Sequence, residues 1–255
     1  DLFDFRLLQK LFYKKLISKP KTRDHDLALL IDEKFLVDYF DNLKFSKSEL
    51  RQDLFVLSEL RFKENGFFVE FGATNGFNSS NTYLLETKFK WKGILAEPAK
   101  IWHSALKKNR LCKIETDCVW RETGEMLLFN EVNDEKHAGA LSTIDNFTNS
   151  DIHSKTRNTV VNKYEVTTIS LRDLLINFNA PKEIDYLSID TEGSEFEILN
   201  SFNFDEYDIK IITCEHNYTP NRAKIYSLLI KNGYERKFSN YSLFDDWYVK
   251  KTKIN

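Results

Sequence analysis

The sequence predicts an α/β fold: a mostly parallel sheet with helices on both faces, preceded by a helical segment. Three observations carry that expectation. From Phe67 onward, short apolar runs alternate with stretches of helical periodicity. The first run, "FFVEF", leads straight into a turn holding two glycines, Gly72 and Gly76. Before Gly66 there is no glycine, and apolar residues recur at helical spacing instead.

Residues 1–60 divide into helices. Leu7, Leu8, Leu11 and Phe12 share a face, as do Leu36, Tyr39, Phe40 and Leu43, with the polar link "SKPKTRDHD" and its Pro20 between them. In "SKSELRQDLFVLSEL", Ser46 or Ser48 is the candidate N-cap ahead of a stripe at Leu50, Leu54 and Leu57. This segment carries no chemistry and reads as a cap, a partner-enzyme surface or a homo-oligomer surface. The remainder, 61–255, reads as one domain. Its expected strands are "FFVEF", "GILAEP", "CKIETDCVW", "EIDYLSIDTEG" and "KIITCEHN". Helices are expected from about Ser79, in "AKIWHSALKKNR" and in "SEFEILNSF". "RAKIYSLLIKNGY" reads as a helix closed by Gly233, and "YERKFS" with "YSLFDDWYVK" as a terminal antiparallel pair. In such a sheet the ligand lies beyond the carboxyl ends of the strands, where strand order reverses.

Composition narrows the function. With 255 residues, 42% apolar and 21 Phe, the chain can bury a core without staples. A formal charge of −2 and no basic, aromatic-laced groove argue against a nucleic-acid partner. Cys112, Cys118 and Cys214 form no C-x-x-C and read as reduced core residues, as in a cytoplasmic protein. No apolar run approaches the roughly 18 residues needed to span a bilayer. The chain begins on Asp, as expected of a piece cut from a longer protein.

The glycine turn constrains the ligand. A dinucleotide site would show G-x-G-x-x-G, yet here the pattern is E-x-G-x-x-x-G: Glu70, Gly72 and Gly76. A carboxylate at the strand end repels phosphate and favours a cation. The helix N-terminus after the turn favours a carboxylate. S-adenosylmethionine, with its ammonium, carboxylate and sulfonium, meets both requirements. Glu97, ending the second run, stands where an α/β nucleoside site places its ribose-binding acid. Asp117 is expected at the adenine amino group, with Cys118 and Val119 forming an apolar edge. The bland alternative is an ordinary turn and a solvated strand end.

"FFVEFGATNG", "SNTYLLE", "WKGILAEP", "LSIDTEGSEFEIL" and "CEHN", in that order, resemble the FkbM family of S-adenosylmethionine-dependent methyltransferases. The likeness runs from about Gln52 to Asn217. It implies a class I methyltransferase, Rossmann-like fold with a seven-stranded sheet and one antiparallel strand near the edge. It also implies O-methylation, often of a sugar in a glycan, a lipopolysaccharide or a secondary metabolite. By that resemblance Glu70, Gly72, Gly76 and Asn78 line the methionine part of the donor. Ser80, Asn81 and Thr82 hold its carboxylate, and Glu97 holds its ribose.

An alcohol acceptor needs help to lose its proton. The fourth and fifth runs end in Asp190 and in Glu215–His216, which neighbouring parallel strands would bring together. Two schemes are open: a divalent ion such as Mg on Asp190, Glu215 and His216, or His216 as a plain base oriented by a carboxylate. Asp190 also borders the donor. Glu192 and Glu195 have the simpler reading of acidic residues favouring a helix N-terminus. His25 and His103 read as surface residues, and His137 and His153 as weaker base candidates in a long polar loop. Tyr218, Tyr241 and Trp247 are candidates to stack on a sugar. The expected function is an O-methyltransferase acting on a surface-glycan precursor. Alternatives are RNA, protein or metabolite methylation, a nicotinamide-dependent dehydrogenase, and a non-enzymatic interaction module acting through the N-terminal helices.

Overall fold

The computed structural model describes residues 23–132, 140–158 and 161–251. The Leu7–Phe12 stripe, Pro20 and His137 lie outside the described residues.

Three helices lead in: α1 (Arg23–Ala28), α2 (Leu36–Leu43) and α3 (Gln52–Glu59). Then come β1 (Phe67–Phe71), α4 (Tyr83–Phe89), β2 (Lys92–Ala96), α5 (His103–Asn109) and β3 (Lys113–Glu115). The middle of the chain gives β4 (Cys118–Trp120), β5 (Met126–Val132), β6 (Thr143–Ile144), α6 (Ser154–Arg157) and β7 (Val161–Ser170). The last part gives α7 (Leu171–Asn177), β8 (Glu183–Ile189), α8 (Glu195–Ser201), β9 (Asp208–Glu215), α9 (Asn221–Lys231), β10 (Tyr234–Lys237) and β11 (Asp245–Lys250).

The main sheet has seven strands in the order β10-β11-β9-β8-β1-β2-β3. β11 runs antiparallel to both its neighbours, and the remaining pairings are parallel, which is the expected architecture. From β1 the chain steps outward to β2 and β3, then returns to place β8 on the other side of β1. That reversal opens a crevice above the ends of β1 and β8.

Side-chain alternation along the strands feeds two cores. Val69, Ile94, Leu187 and Ile212 pack with Leu174, Ile198 and Leu229 from α7, α8 and α9. Phe68, Leu95, Tyr186 and Ile211 pack on the other face with Leu54 and Leu57 of α3, Leu85 of α4 and Leu106 of α5. Leu27 of α1 and Tyr39 of α2 join that second core, so the described N-terminal helices share the interior of the sheet domain.

Four local expectations change. The helix expected to follow Ser46 or Ser48 begins at Gln52 instead; Ser48 Oγ accepts the N–H of Asp53 at 3.2 Å from outside the helix. The helix expected from about Ser79 begins at Tyr83, because the preceding residues are held by Glu70. "CKIETDCVW" is two strands rather than one. Glu115 accepts the N–H groups of Thr116 (2.7 Å) and Asp117 (3.0 Å), turning the chain out of the main sheet. β4 then joins a second sheet, order β4-β7-β5-β6, whose small core includes Cys118, Trp120, Phe129 and Ile144. Finally, His25 is buried in α1 rather than exposed.

Candidate active site

A cavity of about 620 Å³ opens above the ends of β1, β2, β8 and β9. One end is built from the turn after β1. There Glu70 is buried and accepts from the Ser80 hydroxyl (3.1 Å), the Asn81 N–H (2.7 Å) and the Thr82 hydroxyl. Arg110 lies 3.7 Å from the same carboxylate and donates to Ser80 Oγ (3.0 Å) and Thr82 Oγ1 (2.8 Å). The N–H groups of Thr82 and Tyr83 go to Ser80 Oγ. Glu70 therefore organises the turn, and these helix-start donors are spent on the protein itself.

The two glycines differ in what they do. Gly72 sits at φ +73°, and a Cβ there would fall 1.8 Å from the Asp190 carbonyl oxygen. Gly76, at φ +74°, packs beneath Arg110 and Leu106 and does not line the cavity. Asn81 lines it with its Oδ1 buried and unpartnered, while its Nδ2 donates to Ser188 Oγ at 3.0 Å. Glu97 lines it too, accepting the N–H groups of Thr74 (2.7 Å) and Ala99 (2.8 Å); burial raises its pKa to about 7. Cys118, Val119 and Phe129 supply an apolar wall.

The other end holds Asp190, Glu192 and Glu215, with one carboxylate oxygen from each within 4.8 Å of the others. Burial raises Asp190 to about 7, and Glu195, Glu49 and Glu70 add repulsion. Burial and then Asp190 drive Glu215 well above the ordinary carboxylate range. Glu192 is pushed the same way despite its ion pair with Arg157. Arg157 is fully buried and also grips Asp151 (2.8 and 3.0 Å) and the Leu141 carbonyl (3.0 Å). It thereby fastens residues 140–158 over the cavity, where Leu141, Ile152 and His153 form the facing wall.

The model of the methyltransferase FkbM domain matches residues 70–248. The chain belongs to the FkbM methyltransferase family. Two solved structures are similar to it at low identity. One is a methyltransferase FkbM from Methylobacillus flagellatus KT: 13% identity, 89% of this chain and 58% of that one covered, TM-score 0.47. The other is a precorrin-6y C5,15-methyltransferase from Geobacter metallireducens GS-15: 11% identity, 77% and 85% covered, TM-score 0.39. The chain thus spans a little over half the length of the first. A search of curated proteins finds no match.

Within this FkbM domain the structure gathers Glu70, Gly72, Asn78, Ser80, Asn81, Glu97, Cys118, Asp190 and Glu215 around one cavity. Gly76, Thr82, Asp117 and His216 are not among its lining residues. Thr82 is turned to Glu70 and Arg110, and Asp117 lies in the turn that leaves the main sheet. His216 is a correction of substance. Its Nδ1 accepts the N–H of Tyr218 at 3.0 Å, and its Nε2 lies 3.8 Å from Asp246. Burial lowers its pKa to about 4, so the ring is neutral near pH 7. Glu192 takes its place in the acidic cluster; its αL backbone, φ +60°, turns the chain between β8 and α8. Glu195 accepts the N–H groups of Thr191 (3.0 Å) and Gly193 (2.9 Å). His103 is half-buried, its Nε2 2.9 Å from the Glu97 carbonyl. Trp247 is buried against Phe55 and Tyr241, leaving Tyr218, 59% exposed, as the one of the three stacking candidates that lines the cavity.

Proposed function

We propose that this chain is an S-adenosylmethionine-dependent O-methyltransferase whose acceptor is a hydroxyl of a sugar or glycan precursor. The observation that carries the proposal is one cavity with acceptors of two kinds. Asn81 and Glu97 stand at the β1–β2 end, and the crowded carboxylates at the β8–β9 end. The family supports the donor, since S-adenosylmethionine is the usual methyl source of methyltransferases. The structure fits it on its own terms. An unpartnered amide oxygen, a carboxylate with free lone pairs, a glycine turn and an apolar wall are what an ammonium, a ribose and an adenine require. Asn81 would hold the amino-acid end, Glu97 the ribose hydroxyls, and Cys118 with Val119 the base.

When bound, the donor supplies an electrophilic methyl group. The work of this chain is to align the acceptor oxygen and remove its proton. Asp190 and Glu215 share a site too crowded for both to ionise easily, so one of them titrates near neutrality and serves as the base. Their oxygens accept hydrogen bonds from vicinal hydroxyls, and Tyr218 offers a face at the rim. Leu141, Ile152 and Phe244 add apolar surface to the space between. A second reading puts a divalent cation such as Mg on Asp190, Glu192 and Glu215, relieving their repulsion; His216 has no part in it. The division at residue 60 stays part of the proposal. Leu29, Leu30 and Val37 are exposed on the N-terminal segment and offer a face to a second copy or a partner enzyme.

Thermal melting with S-adenosylmethionine or NAD tests the donor. A rise with the first alone is expected, and no rise at saturation would defeat the reading. Labelled donor with sugars, glycans and nucleotide sugars then tests the acceptor, and exhaustive EDTA separates the base from the cation.

A further inference from the structure

Glu49 lies in the link between α2 and α3, outside the residues the FkbM family matches. Its surroundings are fixed. Ser48 forms a parallel β-bridge with Ser79, and its hydroxyl donates to the Ser80 carbonyl at 3.4 Å. On the far side, Gln52 Nε2 donates to Asp245 at 2.9 Å, and the α3 face is buried in the sheet core. This leaves Glu49 exposed on the cavity wall in company with Asn78, Ser79, Ser80 and Asn81. Among the described residues no hydrogen bond or ion pair engages its carboxylate, while its charge reaches Asp190 across the cavity.

Three observations converge on one ligand group. Asn81 Oδ1 is unpartnered on a residue only 8% exposed, and it belongs to the same wall. Glu70, the carboxylate that the glycine turn nominates for a cation, is already satisfied by Ser80, Asn81, Thr82 and Arg110. A free carboxylate and an unpartnered amide oxygen on one wall suit a group that only donates, and an ammonium carries three N–H bonds and no lone pair. We infer that Glu49, together with Asn81 Oδ1, receives the α-ammonium of the methyl donor, so that the N-terminal segment supplies part of the donor site. The inference rests on the S-adenosylmethionine reading and assigns to Glu49 the role that sequence logic gives to Glu70.

Two ligands separate the inference from the reading beneath it. S-adenosylhomocysteine carries the amino-acid end, and 5′-methylthioadenosine keeps the nucleoside and thioether without it. Calorimetric titration of the whole chain should show Glu49→Gln weakening S-adenosylhomocysteine roughly tenfold, the scale of one charge-assisted hydrogen bond. Affinity for 5′-methylthioadenosine should stay within about twofold. Equal losses for both ligands, or no loss for either, would overturn the role of Glu49 while leaving the donor reading standing. A wild-type protein that binds neither ligand would overturn both.

Discussion

The two ends of the cavity are built from the same residue types at the same kind of position, yet they surround their carboxylates differently. At the β1–β2 end, Glu70 accepts from three loop donors beside Arg110, and Glu97 from two backbone N–H groups. At the β8–β9 end, Asp190, Glu192 and Glu215 face one another, with Arg157 on Glu192. Glu70, with donors on every side, organises the turn; burial raises Glu97 and Asp190 alike to about 7, and at the β8–β9 end the neighbouring carboxylates add their repulsion to it. The sequence motif does not distinguish these surroundings, because each is a strand-end acid.

The sharpest way to break the comparison is to neutralise the reactive end. Asp190→Asn should lower kcat by about 10²–10⁴, the range for losing a general base. The wild-type rate should rise with pH through about 7, where Asp190 loses its proton, and the variant should lack that limb. The sign follows from the role: a base must be unprotonated, so activity is low below its pKa. A rate that falls as pH climbs past 7 would make the group an acid instead.

Next in size is the cation that holds the reactive end together. Arg157→Ala strands Asp151 and Glu192 without their partner, which should cost about 3–5 kcal/mol in urea unfolding. A cost below about 1 kcal/mol would show that residues 140–158 stay in place without it. The smallest effect tests a correction. His216→Gln should leave kcat within about threefold, since a group outside the cavity takes no proton from the acceptor. A hundredfold loss would return the imidazole to the chemistry.

Much of this was legible in the sequence. Short continuous apolar runs, buried on both faces, gave the main sheet, and the terminal pair "YERKFS" and "YSLFDDWYVK" appears as β10 and β11. Strand-end position found Glu97, Asp190 and Glu215, because a parallel sheet brings those ends to one edge. It failed for His216, which follows Glu215 directly and so turns to the other side, where Asp246 waits. The second sheet was missed although "MLLFNEV" and "VNKYEVTTIS" carry strand-type residues, because the polar stretch between them dominates the local pattern. Arg157 and Glu49 lay beyond reach for a different reason. Nothing local marks an arginine that pairs across 35 positions, or a glutamate brought to a wall by a bridge between Ser48 and Ser79.

The close approach of Gly72 to the Asp190 carbonyl has a consequence for any effort to re-engineer this enzyme. With a single hydrogen as the spacer, the turn after β1 and the Asp190 backbone meet in one close contact. Enlarging residue 72 to retune donor preference would displace the acid as well, and the resulting loss of turnover would masquerade as a cofactor defect. Variation aimed at the acceptor belongs on the side chains of Leu141 and Ile152, which line the cavity away from that contact.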